Sequence, residues 1–166
     1  SRIQKFDADG NLLQVWGTNG DEAGQFNDPR DLAIDASGDI FVIDRRNYRV
    51  EHFDSTLNFI NMWGSRGLNA GQFLYLRGIA VDGLGHVYVT DGDVNRVSKF
   101  DYQGNLLAMW TGPAGELPWL EPRGILADAQ GNVYVADYGA NRIYLYSYGP
   151  SAVEGRSWGG VKEMYR

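Results

Sequence analysis

The sequence predicts an all-β protein built from repeated four-stranded sheets. Short apolar runs rich in Val, Ile, Tyr and Phe alternate with turns that contain Gly, and none of the runs has a helical period. One phrase recurs as IFVIDRRNYRVEHFD, VYVTDGDVNRVSKFD and VYVADYGANRIYLYS. The Asp that ends its apolar run lies at Asp44, Asp91 and Asp137, at spacings of 47 and 46 residues. A fixed period of this length indicates one supersecondary unit per copy.

Each unit is predicted to contain four strands. In the middle copy the strands are expected at 78–82, 86–91, 96–101 and 105–110, and turns such as DGLGH and DYQGN separate them. In these turns Gly or Asn accepts a positive φ, as hairpin turns require. Four antiparallel strands at this period are typical of one blade of a β-propeller.

The repeat also predicts how the chain is divided. Arg2 lies 47 residues before Arg49, so the first residues correspond to the end of a unit. About three and a half blades are therefore expected, as an open arc or as part of a larger ring. We expect a fragment of a larger propeller, with a ring completed by two copies as the alternative. The predicted segments are a partial blade over 1–26, blades at about 27–73, 74–119 and 120–148, and an irregular tail over 149–166.

The blades resemble a known repeat. PRGILADAQGNVYVADYGANRIYLY is similar to the NHL repeat, and the similarity extends over residues 1–146. The Trp-Asp dipeptide typical of WD40 repeats is absent. Asp31 replaces the expected Gly in the first full copy, and Tyr48 stands where Asn95 and Asn141 stand in the later copies. The resemblance implies a ring of about six blades that binds partners on the face formed by the loops entering the first strands and the loops between second and third strands.

Composition excludes several functions. The chain has no Cys, which excludes a thiolate zinc site. It has only two His, His52 and His86, which are too few to favour a histidine metal site. The net charge of −6 and the scarcity of Lys argue against a dedicated nucleic-acid binder. No apolar run has the length of a membrane span and no targeting signal is visible. The compartment is not assigned, although an extracytoplasmic location is favoured.

The recurring Asp and Arg of the phrase are interpreted as structural. A catalytic group is needed once, whereas a structural group is needed in every blade. Each Asp can accept hydrogen bonds from N–H groups of a loop, and the Arg five residues later can brace it. The pairs are Asp44 with Arg49, Asp91 with Arg96 and Asp137 with Arg142.

A second set of arginines is the candidate site. Arg30, Arg77 and Arg123 are expected one residue before the first strand of successive blades, where the channel of a propeller opens. Guanidinium groups in an arc there would suit carboxylate or phosphate recognition. The alternative is that each Arg pairs with a neighbouring acid and only shapes its loop. The predicted ligand-binding residues are Arg30, Arg77, Arg123, Arg45, Arg46 and Tyr138, and the acids of the alternative are Asp28, Asp31 and Glu121.

These observations predict a non-enzymatic binding or scaffold module. Its partner is expected to be a protein or peptide, and a glycan or an RNA loop is less favoured. No interaction with a membrane is expected. No cofactor is predicted, and nothing in the sequence selects calcium in the channel. Two alternatives remain open. One is part of a lyase or hydrolase propeller, similar to peptidyl-α-hydroxyglycine lyase, whose catalytic residues lie mostly elsewhere. The other is a structural subunit that self-associates through exposed blade edges.

Overall fold

The computed structural model describes residues 1–112 and 118–146 and the strand at 161–163. Three four-stranded antiparallel sheets follow a two-stranded antiparallel sheet, and a short parallel pair joins the first two of these units. The predicted all-β fold of four-stranded blades is confirmed, with the sheets forming an open arc. No helix among the described residues is long and apolar enough to span a membrane.

We name the sheets in chain order. The half-blade contains β1 (Ile3–Phe6) and β2 (Leu12–Trp16), and the parallel pair contains β3 (Thr18–Asn19) and β4 (Gln25–Phe26). Blade 2 contains β5 (Pro29–Ile34), β6 (Ile40–Asp44), β7 (Arg49–Phe53) and β8 (Phe59–Trp63). Blade 3 contains β9 (Leu76–Val81), β10 (Val87–Asp91), β11 (Arg96–Phe100) and β12 (Leu106–Trp110). Blade 4 contains β13 (Pro122–Ala127), β14 (Val133–Asp137), β15 (Arg142–Tyr146) and β16 (Val161–Glu163).

The last strand lies within the segment 149–166, for which an irregular tail is predicted. Val161–Glu163 pairs antiparallel with β15 and gives blade 4 its fourth strand. The rest of that segment lies outside the described residues.

The hairpin turns on one face share an Asp whose carboxylate organises the turn. In the turn from β7 to β8, Asp54 Oδ1 accepts the N–H groups of Thr56 and Asn58 at 2.8 and 2.9 Å, and its Oδ2 accepts Asn58 Nδ2 at 2.9 Å. These bonds favour the charged carboxylate and lower the pKa of Asp54 to about 2. The carboxylate thus links several backbone groups within one short turn.

The core lies between the blades rather than within one of them. Phe26, Phe73 and Trp119 occupy equivalent positions before each first strand, and each is at most 1% exposed. Phe73 packs against Phe100 of blade 3, with ring centroids 6.0 Å apart, and belongs to a cluster that includes Phe41 of blade 2. Each aromatic ring thus holds one blade face against the next.

The first strands of the three blades lie side by side along the inner edge of the arc, β9 between β5 and β13. Gly78 allows the closest approach, because a Cβ atom there would lie 2.5 Å from the backbone oxygen of Arg123. The Thr90 hydroxyl donates to that same oxygen at 2.8 Å and ties blade 3 to blade 4. This packing fixes the spacing between the residues that begin β9 and β13.

Candidate ligand-binding site

The three predicted arginines, expected one residue before the first strands, each lie inside a first strand, at its second position. Arg30 lies in β5, Arg77 in β9 and Arg123 in β13. Because these strands are neighbours, their starting ends lie together on one face of the arc. We call this the mouth face; the loops between second and third strands, with Arg45, Arg46 and Tyr138, lie beside it.

Arg77 and Arg123 share one acidic side chain. Arg77 Nη2 donates to Glu121 Oε1 at 2.6 Å, and Arg123 Nε donates to the same oxygen at 3.0 Å. Arg123 Nη2 lies 2.9 Å from that oxygen as an ion-pair contact. Side-chain exposure is 16% for Arg77 and 40% for Arg123. Glu121 therefore bridges blades 3 and 4 at the mouth face.

Tyrosine rings lie against several of these guanidinium groups. The Arg123 guanidinium lies 3.5 Å from the centroid of the Tyr138 ring. Arg45 and Arg77 both stack on Tyr75, at 4.6 and 4.2 Å from its ring centroid. Such contacts leave the N–H edges of a guanidinium directed sideways, where they can bind an anion.

Blade 2 has a different arrangement. Arg45 Nε donates to Asp28 Oδ2 at 2.7 Å, and Arg45 also hydrogen-bonds the Tyr75 hydroxyl. Arg46 is 69% exposed, with its Nε 3.8 Å from the same Asp28 oxygen. Arg30 is exposed, and its side chain makes no ion pair or hydrogen bond with any other described residue.

The repeat explains why Arg30 lacks an acidic partner among the described residues. Asp28, Tyr75 and Glu121 occupy the same repeat position in blades 2, 3 and 4. Arg77 reaches forward to that position in the next blade and meets Glu121. For Arg30 the equivalent position in the next blade is Tyr75, which carries no negative charge and already accepts a hydrogen bond from Arg45. One junction is therefore filled by a carboxylate, and the other is not.

Asp31, also predicted as a neutralising acid, binds the backbone instead. Its Oδ2 accepts the N–H of Ile79 in β9 at 3.0 Å, and its Oδ1 accepts the N–H of Leu32. Gly78 and Gly124 occupy this repeat position in the later blades. The Asp31 side chain thus joins β5 to the neighbouring first strand, β9.

The Asp44 and Arg49 pair lies in a buried network. Asp44 accepts the N–H of Asn27 at 2.6 Å, and Arg49 Nε lies 3.1 Å from Asp44 Oδ2. The Arg49 guanidinium also donates to the backbone oxygens of Asp21, Glu22 and Gln25 and to Glu51 Oε1, the last at 2.7 Å. The network thus connects blade 2 to the loop that precedes it. Desolvation by burial raises the pKa values of both Asp44 and Glu51 despite these bonds.

The later blades reproduce parts of this network. Asp91 accepts the N–H groups of Leu74 and Tyr75, both at 2.8 Å, and Arg96 donates to backbone oxygens of the preceding loop, among them Leu68 at 3.1 Å. Asp137 accepts the N–H of Glu121 at 2.9 Å. Arg142 begins β15, paired in register with Asp137. We call these Asp and Arg residues, with Glu51, the loop braces.

Sequence reasoning missed Tyr75 and Glu51. Tyr75 could have been found from the repeat, because it occupies the position at which the other two blades have the acidic residues Asp28 and Glu121. Glu51 has no such signal, since Ser98 and Tyr144 occupy its repeat position.

Neither histidine contacts the arginines of the mouth face. His86 Nδ1 lies 2.9 Å from Asp82 Oδ2 in the β9–β10 turn, while His52 stacks on Phe41 with ring centroids 4.2 Å apart. Within the described parts of the chain, no three His, Cys, Asp or Glu side chains converge as metal ligands would.

Repeated antiparallel blades packed face to face, with neighbouring first strands along the inner edge, define a β-propeller chain. Residues 26–53 and 73–100 match the NHL repeat. The chain thus contains NHL repeats, and the resemblance predicted from its sequence is confirmed.

Solved structures share this fold over nearly the whole chain. Virginiamycin B lyase from Staphylococcus aureus matches with a TM-score of 0.66 and 12% identity, covering 98% of this chain and 47% of the lyase. A streptogramin B lyase matches with a TM-score of 0.68 and 15% identity, with the same coverage. The WD40 repeats of RRP9 match with a TM-score of 0.69 and 12% identity, covering 99% of this chain and 44% of that one. At these identities the likeness concerns the fold alone, and the chain spans less than half the length of each of these proteins.

Proposed function

We propose that this chain is a non-enzymatic binding module that recognises an acidic segment of a protein or peptide at the mouth face. The observation that carries the proposal is the excess of guanidinium groups there. Arg30 has no acidic partner among the described residues, and Arg46 lies 3.8 Å from a carboxylate already bound by Arg45. These two exposed cations can therefore accept an external carboxylate with little loss of internal bonding.

The chemistry of the other arginines supports the same ligand. Arg77 and Arg123 each lie against a tyrosine ring, so less side-chain freedom is lost when an anion binds. Guanidinium forks match the geometry of a carboxylate, and two of them can hold it by parallel hydrogen bonds.

A short acidic segment fits better than a long polyanion. The net charge is −6, and the hairpin turns opposite the mouth face carry aspartates such as Asp7, Asp54 and Asp101. A nucleic acid extending past the mouth would approach this negative surface and be repelled. A peptide that ends within the arginine cluster avoids that repulsion.

The test is a titration of the 166-residue chain into fluorescein-labelled hexaglutamate at low salt, followed by anisotropy. Arg30→Gln and Arg46→Gln should each weaken binding by roughly 3- to 5-fold, the effect of losing about 1 kcal/mol of exposed charge interaction. Lys5→Gln removes the same charge from an exposed position in β1, outside the mouth loops, and should leave the affinity within about 1.5-fold.

Three results would contradict the proposal. One is no measurable binding of hexaglutamate, and another is equal weakening by Lys5→Gln and Arg30→Gln, which would indicate a general charge effect. The third is tighter binding of labelled oligouridylate than of hexaglutamate, which would make RNA the better ligand.

A further inference from the structure

We infer that Glu121 is a built-in competitor: its carboxylate occupies an anion position between Arg77 and Arg123, and an acidic ligand binds there by displacing it. This inference rests on the proposed function and names how the site is regulated and what kind of ligand it selects. The ligand is a peptide segment with at least two acidic side chains, one for the open blade 2 arginines and one for the position that Glu121 fills.

The bonding of Glu121 leaves the position only partly neutralised. Two hydrogen bonds, from Arg77 Nη2 and Arg123 Nε, and the ion-pair contact of Arg123 Nη2 all converge on the single oxygen Oε1. Two guanidinium groups and one carboxylate leave one positive charge uncompensated. The Nε of Arg77 is buried and makes no hydrogen bond with any described residue. A carboxylate that used both of its oxygens could bind the accessible N–H groups of the two guanidinium groups more completely than Glu121 does.

The guanidinium groups have supports other than Glu121. Arg77 lies 4.2 Å from the ring centroid of Tyr75, and Arg123 lies 3.5 Å from that of Tyr138. These contacts do not involve the Glu121 carboxylate, so they can hold both cations in place when the carboxylate leaves.

The backbone of Glu121 is held in place by hydrogen bonds that do not involve its carboxylate. Its N–H donates to Asp137 Oδ1 at 2.9 Å, and its carbonyl oxygen accepts the N–H of Tyr138 at 3.0 Å. The side chain is 26% exposed, so rotation can carry the carboxylate into solvent without disturbing the loop.

The surroundings indicate a second feature of the ligand. Leu120 and Tyr138 lie beside this position and are 60% and 58% exposed. An apolar side chain next to the second acidic residue could cover them, and burial of such surface strengthens binding. An acidic segment that also carries an apolar residue is therefore the class of ligand selected.

The experiment compares Glu121→Gln with the parent chain in the hexaglutamate titration. If the internal ion pair is closed for roughly 80–95% of the time, its removal should tighten binding by roughly 5- to 20-fold. Glu22→Gln makes the same change in charge at an exposed site in the loop between β3 and β4 and should change the affinity by less than about 2-fold. The double variant Arg77→Gln/Glu121→Gln should lose most of the gain, because the freed position then lacks one of its two cations.

The outcomes separate the inference from the proposed function. If the parent chain binds hexaglutamate through Arg30 and Arg46 but Glu121→Gln binds equally or more weakly, the displacement mechanism is wrong and the binding function stands. If neither chain binds the peptide, the proposed function is wrong, and the inference with it.

Unfolding of Glu121→Gln, checked by near-ultraviolet circular dichroism, would mean that Glu121 holds the blades together, which also contradicts displacement. Glu121→Asp provides an independent test, because a shorter side chain keeps the charge but cannot reach both arginines equally. It should bind hexaglutamate with an affinity between those of the parent and Glu121→Gln.

Discussion

The loop braces and the mouth face use the same residue type at the same period, yet their arginines differ in what they bind. Arg49 and Arg96 are 8% and 7% exposed in their side chains and donate mainly to backbone oxygens of the preceding loops. Arg30 is exposed, and Arg77 and Arg123 bind a side chain. Periodicity therefore identifies equivalent positions in a repeat protein, but the kind of partner separates structure from binding.

The difference has a simple physical origin. Every residue has a backbone oxygen, whatever its side chain. An arginine of the loop braces can therefore bind backbone oxygens in each blade in which the preceding loop has the same conformation. Side-chain partners depend on the residue at one position, which is Asp28, Tyr75 or Glu121 in successive blades. The mouth face is thus the region in which blades can differ without loss of fold.

The largest effect is expected from Arg49→Gln. This change leaves the carboxylates of Asp44 and Glu51, both fully buried, without their cation. Breaking a buried ion pair on one side costs about 3–5 kcal/mol, so the urea midpoint should fall sharply. Arg49→Lys should recover part of the loss, because a single ammonium can meet one carboxylate but not all the loop oxygens. Equal midpoints for the parent and Arg49→Gln would remove the structural interpretation of the braces.

A smaller effect is expected where β9 approaches β13. In Gly78→Ala the new Cβ would lie 2.5 Å from the Arg123 backbone oxygen, which must move. Overpacking of this kind costs about 1–3 kcal/mol. Gly124→Ala is the matched control at the same repeat position, since its Cβ would meet only Ala136 Cβ at 3.5 Å. Urea denaturation of the two variants should separate them, and equal losses would show that the first strands are not packed as described.

At the mouth face, Arg77→Gln should lower the free energy of unfolding by about 1 kcal/mol, because it removes a partly buried ion pair and a ring contact. Arg30→Gln should change it by less than about 0.5 kcal/mol, since that side chain has no described partner. A larger loss for Arg30→Gln than for Arg77→Gln would mean that Arg30 is structural.

The smallest effect concerns the turn aspartates on the opposite face. The pKa of Asp54 is lowered to about 2, so the folded state holds its proton less tightly than the unfolded state does. The stabilisation is present above the ordinary value of 3.8 and is lost as the pH falls towards about 2. In Asp54→Asn, the loss of thermal stability between pH 4 and 2 should be shallower than in the parent chain. Parallel pH profiles for the two chains would show that the Asp54 hydrogen bonds do not hold its charge.

The sequence predicts the blades well because period, apolar alternation and turn chemistry are all local. The recurring Asp before the turn residues and the Arg near the start of each first strand can be aligned by counting alone. The partner of Arg77 cannot be found by counting, because Glu121 lies 44 residues away in the next blade. Tyr75, which lies close to Arg77 in sequence, is not acidic. Glu51 was missed for a similar reason: it lies in a strand whose equivalent residues are Ser98 and Tyr144, so no pattern marks a buried acid there.

The central claim is that one set of arginines binds ligand and the other holds the loops. The direct measurement is a titration of hexaglutamate into the ¹⁵N-labelled chain, followed through the arginine Nε–Hε resonances. We predict that the resonances of Arg30, Arg77 and Arg123 move with increasing peptide, while those of Arg49 and Arg96 remain unchanged. Movement of the Arg49 and Arg96 resonances with the mouth arginines unchanged would contradict the account.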